Sequence, residues 1–207
     1  MERTKSIDDF DASVWYNRLI ATASNSNSLE RYNQLVQLHK ETLAFYIPAL
    51  RSLTNEQASA TSSDGRPIAI VVAHIMGWEE WQVQIFTDAN RNARLNEQMQ
   101  LQGYFDTDTN EKVSFSGVDD FNAYQAKKYM NTPWQEIKDK AIQTASDLQS
   151  VFPENPSDEW IDFLDHTPLH TWHLTPEHTL EIPAGWYLWM VSLKHEAVEH
   201  RKDLLHV

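Results

Sequence analysis

The stretch KHEAVEHRKDL, Lys194 to Leu204, places two histidines and two glutamates within six consecutive positions. His195 and Glu199 are four apart, as are Glu196 and His200, so on a helix each pair shares a face. The residues before it decide which pair turns inward. Trp186, Trp189, Met190, Leu193, Ala197 and Leu204 recur at spacings of three and four and define one apolar stripe. At about 100° per residue, His200 falls on the Leu193 side of that stripe, Glu196 on its border beside Trp189, and His195 on the opposite side. The pattern therefore predicts a helix whose inward polar pair is Glu196 and His200. The plain alternative is an amphipathic helix end carrying a solvated salt-bridge cluster of Glu196, Glu199, Arg201 and Lys202.

The rest of the chain reads as more helices of this kind. Leu29 to Leu53 carries Tyr32, Leu35, Val36, His39, Leu43, Tyr46 and Leu50 on one stripe, with Pro48 near its end. After the irregular segment SATSSDGR, Pro67 opens a helix with the stripe Ile70, Val71, His74, Trp78, Trp81 and Ile85. His74 is central in it, and the pair Glu79-Glu80 points away from it, as solvated surface. Residues 92–117 are polar and predict a long loop with short extended pieces. A third helical region runs from Asp119 to Val151, broken at Asn131-Thr132-Pro133. The fourth spans Ala184 to Leu205. The expected fold is all-α, a four-helix bundle over residues 28–207, with an N-terminal extension at 1–27 that is helical over 8–23. Residues 153–183, rich in Pro and His, form an insertion before the last helix, of a length that often borders a site.

Composition narrows the function. Lys+Arg 17 against Asp+Glu 30 gives a net charge of -13, which opposes phosphate backbones and argues against a nucleic-acid partner. No transmembrane run and no signal peptide are apparent, so no membrane partner and a cytoplasmic location are expected. Cys 0 removes disulfides, thiolate ligands and a protein thiol nucleophile. A metal would need His and carboxylate ligands, and thiol chemistry would need an external thiol. No glycine-rich phosphate motif occurs.

Three helices then carry metal-capable side chains on apolar stripes: His74, the pair Glu196 and His200, and His39. Burying them without a partner is costly, and a divalent cation would satisfy several at once. Two histidines and one carboxylate leave open coordination positions, as in catalytic zinc sites. His39 is the candidate acid or base, or a partner behind a ligand, against the alternative of a hydrogen-bonded core histidine. Trp78, Trp81 and Trp189 would line a small-molecule cavity, unless they are simply core. His166, His170, His173 and His178, flanked by Asp165 and Glu177, form a second cluster, more readily read as solvated loop than as metal site.

DGRPIAIVVAHIMGWEEW, with His74 ahead of Gly77-Trp78, resembles the second helix of the DinB/YfiT-like superfamily of four-helix bundles. FNAYQAKKYMNTPWQEIKDKAIQTASDLQSVF, with Asn122 and its broken helix, resembles the ClbS/DfsB branch. EAVEHRKDL looks like the final ligand helix, with the Glu-x-x-x-His that is similar to mycothiol-dependent maleylpyruvate isomerases. On that resemblance the metal ligands are His74, Glu196 and His200. It implies Zn²⁺ or Ni²⁺ and, in some members, a low-molecular-weight thiol, with a small-molecule substrate in S-transfer, isomerisation or hydrolysis. The alternative is a metal-free binding or self-resistance protein of the ClbS/DfsB type. The oligomeric state is open, a homodimer included.

Overall fold

The computed structural model describes residues 10–175 and 178–205. The chain is all-α in class, with two small two-stranded sheets among the described residues. In order come α1 (Ala12–Ala23), α2 (Ser28–Ser52), α3 (Asn55–Ser59), α4 (Ile68–Thr87), α5 (Arg91–Met99), β1 (Tyr104–Asp106) and β2 (Glu111–Val113). Then follow α6 (Val118–Tyr129), α7 (Trp134–Val151), α8 (Asp158–Asp165), β3 (Leu169–Thr175), β4 (His178–Pro183), α9 (Ala184–Lys194), a π-helical turn (His195–Glu199) and α10 (Arg201–Leu205). They fall into two compact units: residues 1–54 with 152–207, and residues 55–151. Among the described residues no helix is long and apolar enough to cross a membrane.

Local chemistry sets the helix starts of the first unit. The Asp11 carboxylate accepts the N–H groups of Ser13 and Val14 at 3.0 Å, Asn27 accepts that of Glu30, and the Ser157 hydroxyl accepts that of Trp160. Pro183 precedes α9 as Pro67 precedes α4 in the second unit. The core of the first unit is aromatic. Trp189 stacks on Phe152 at 3.8 Å and 4°, and Tyr32 meets it edge-on at 5.2 Å. The β3–β4 hairpin pairs Leu169 with Pro183 and Trp172 with Leu180, and is tied to α1 where the Tyr16 hydroxyl donates to the Leu174 carbonyl at 2.7 Å.

The second unit is organised around α4, which is buried on more than one face because α6 and α7 both pack on it. Trp78, Trp81, Tyr104, Phe115 and Phe121 form its aromatic cluster, with Trp78 and Trp81 stacked at 5.9 Å. Glu79 is a correction to the sequence reading: it is 1% exposed, not solvated surface. A helix enclosed on several sides has no fully solvated face for it. Glu80 is partly buried too, accepting the Tyr104 hydroxyl at 2.7 Å and pairing with Lys140 at 3.4 Å. The polar 92–117 segment is not all loop, since it contains α5 and the β1–β2 hairpin. Lys128 anchors that hairpin to α6 by reaching Asp106 at 2.7 Å and Asp108 at 3.0 Å.

Gly77 makes the close approach of α4 and α6 possible. A Cβ there would lie 2.6 Å from Cδ and 2.8 Å from Cγ of Gln125, itself fully buried on α6. Gly to Ala inside a helix ordinarily gains about 1 kcal/mol, whereas overpacking a core costs about 1–3 kcal/mol. Gly77→Ala is therefore expected to destabilise by about 0–2 kcal/mol in urea unfolding, and to become neutral or stabilising when Gln125→Ala is present. A stabilising Gly77→Ala in the wild-type background would show that the two helices are not in close contact.

Candidate metal centre

The helix that begins at Ala184 does not keep its α period. After Lys194 it widens into a single π turn, closed by the His200 N–H reaching the His195 carbonyl at 3.4 Å. On an ideal α-helix residues five apart lie roughly 140° apart around the axis. In a π turn the i and i+5 residues are brought over one another by that hydrogen bond. His195, set on the far side by uniform periodicity, is thus carried next to His200. Their Nε2 atoms are 3.1 Å apart and their rings 4.9 Å. The side chains are 12% and 14% exposed, enough to be reached from solvent.

Carboxylates flank this pair. Asp203, 6% exposed, places Oδ2 3.5 Å from Nδ1 of His200, on the ring edge away from His195. Glu199 has one oxygen 2.6 Å from Lys194 Nζ and the other 4.0 Å from His195 Nε2. The spacing suits a cation: two nitrogens bound tetrahedrally to one zinc at ~2.0–2.1 Å are roughly 3.3–3.4 Å apart. It also suits one N–H···N hydrogen bond between neutral imidazoles.

Among the described residues, His195 and His200 are side chains that could hold a metal ion. Imidazole nitrogens are donors that zinc accepts in catalytic sites. His195, and not the expected ligand Glu196, is the side chain whose ring nitrogen faces that of His200. Glu196 is fully buried in the π turn, and His74 is 7% exposed on α4. Nothing in the sequence but the His195–His200 spacing of five signalled that His195 lies beside His200.

The other candidates are placed as follows. His39 is 1% exposed on α2, and its Nδ1 accepts the indole N–H of Trp189 at 3.1 Å. Burial pulls its pKa from 6.5 down to about 3, so it is neutral at pH 7 with its proton on Nε2. This is the setting of a hydrogen-bonded core histidine. Trp81 and Trp189 are fully buried within aromatic clusters, and half-buried Trp78 donates to Asn122 Oδ1 at 3.2 Å. An open groove of about 500 Å³ between α1 and α2 is lined instead by Arg18, Asn33, Gln34 and Gln37. In the insertion, His166 bonds to Asp162, His170 lies 4.0 Å from the Tyr187 ring and His173 bonds to Thr179. Glu177 and the His178 side chain lie outside the described residues. No family model, curated protein or solved structure matches the chain.

Proposed function

We propose that the chain is a metal-dependent enzyme of the DinB-like kind, in which His195 and His200 hold a divalent cation, zinc or nickel, with His74 as the further ligand that the resemblance implies, and a small molecule is the substrate. The observation that carries this is the 3.1 Å separation of the His195 and His200 Nε2 atoms on a π turn, a local distortion found often at functional sites. When bound, such a cation lowers the pKa of water or of a small thiol and so supplies a nucleophile near neutral pH. The chain's own part is to hold and to accept protons. His195 and His200 present ring nitrogens, and Glu199 Oε2, whose partner oxygen is engaged by Lys194, is the nearby carboxylate that can take a proton. With Cys 0, any thiol must come from outside the chain.

A second reading rests on the same distance, since 3.1 Å is also an imidazole–imidazole hydrogen bond. In it the chain binds a small molecule without metal.

Elemental analysis of protein purified without an affinity-metal column separates the two. Wild type is expected to carry about one zinc or nickel per chain, His195→Ala and His200→Ala to lose it, and Glu196→Gln to keep it. Wild type that stays metal-free after soaking with Zn²⁺ and Ni²⁺ would overturn the metal assignment. Loss of metal in Glu196→Gln but not in His195→Ala would return the carboxylate to the donor set.

A further inference from the structure

We propose that Asp203 is the positioning residue for the metal-binding nitrogen of His200, an inference that rests on the metal reading above. His200 has two ring nitrogens facing two different groups. Nε2 faces His195 Nε2 at 3.1 Å, and Nδ1 faces the Asp203 carboxylate at 3.5 Å. A neutral imidazole carries one proton, and a carboxylate can only accept. With the proton on Nδ1 pointing at Asp203, the lone pair is on Nε2, where a cation shared with His195 must bind.

The fold supports this placement. Asp203 lies three residues beyond His200, in the helix that resumes after the π turn, with the Leu204 N–H bonded to the His200 carbonyl at 3.1 Å. Leu204 is buried beside it at 1% exposure, which fixes the turn that aims the carboxylate. At His195, by contrast, the Glu199 carboxylate approaches Nε2 itself, at 4.0 Å. Asp203 thus selects the tautomer, orients the ring and raises the basicity of one ligand. Carboxylates placed behind a metal-binding histidine typically alter metal affinity 10–100-fold.

The test uses the full chain at one fixed pH. Zinc affinity is measured by competition with a chromophoric chelator for wild type, Asp203→Asn and Asp203→Ala. In parallel, nitrogen-15 NMR of the metal-free proteins reads the tautomer of His200. Expected are Nδ1–H in wild type, a mixed or Nε2–H tautomer in Asp203→Ala, and zinc binding weakened ~10–100-fold in Asp203→Ala and less in Asp203→Asn. Asp203→Asn is nearly isosteric and keeps the test available should Asp203→Ala fail to fold. An Nε2–H tautomer in wild type, or equal zinc affinity in wild type and both variants, overturns the role of Asp203 alone. No zinc uptake by wild type overturns the metal reading and this inference with it.

Discussion

Lowering the pH from 7 to 5 is expected to remove about 2 kcal/mol of stability through His39 alone. The folded-state pKa is about 3 and the unfolded value is 6.5. Between those values the unfolded chain binds a proton that the folded chain refuses, so stability rises with pH and falls as pH is lowered. The loss begins below pH 6.5 and levels off below about 3, where it totals roughly 5 kcal/mol. Its origin is the burial of the ring, and the Trp189 indole N–H occupies the one nitrogen that would take the proton. His39→Asn supplies an acceptor that does not titrate. Urea unfolding of both proteins from pH 7 to 5 should give curves that converge by about 2 kcal/mol. That window lies above the ordinary carboxylate range, and taking the difference between the two proteins cancels the other histidines. Parallel curves would mean that His39 is accessible to protons in the native state, and its candidacy as an acid or base would reopen.

The stripes that predicted the long helices depend on one assumption, a constant 100° per residue, and they succeed where it holds. Tyr32 and Leu50 are fully buried on α2, as Val71, Trp81 and Ile85 are on α4, and each was read from spacing alone. The break before Trp134 was legible because Pro133 cannot continue a helix donating its N–H. The π turn was not, because one inserted residue per turn leaves no compositional mark. It moved His195 from the far face to within 3.1 Å of His200. Helix α5 escaped because it buries little besides Leu95, too few apolar positions to set a period. Glu79 departs from its expected place for the opposite reason: an adjacent charged pair ordinarily marks a solvated face, and α4 has none there. Side-chain chemistry was thus legible by type, and position was lost wherever packing broke the period.

Trp189→Ala is expected to cost about 4–8 kcal/mol, the largest effect of any single change considered. The ring is fully buried, stacked at 3.8 Å on Phe152 and edge-on to Tyr32. Emptying such a site costs about 3–5 kcal/mol, and leaving the His39 Nδ1 without its donor adds about 1–3 kcal/mol. Against a total stability of about 5–15 kcal/mol, the Ala variant is at the edge of folding. Trp189→Phe is the sharper probe, since it keeps the stacking and removes the N–H. Its expected cost is about 1–3 kcal/mol. In a double-mutant cycle with His39→Asn the two changes should couple by about 0.5–3 kcal/mol, because they share one hydrogen bond. Zinc uptake should be the same in Trp189→Phe as in wild type, because Trp189 is held by Phe152, Tyr32 and His39 rather than by His195 or His200. Additive energies would dissolve the Trp189–His39 pair. A normal stability with altered ligand binding would instead restore Trp189 as a cavity-lining residue.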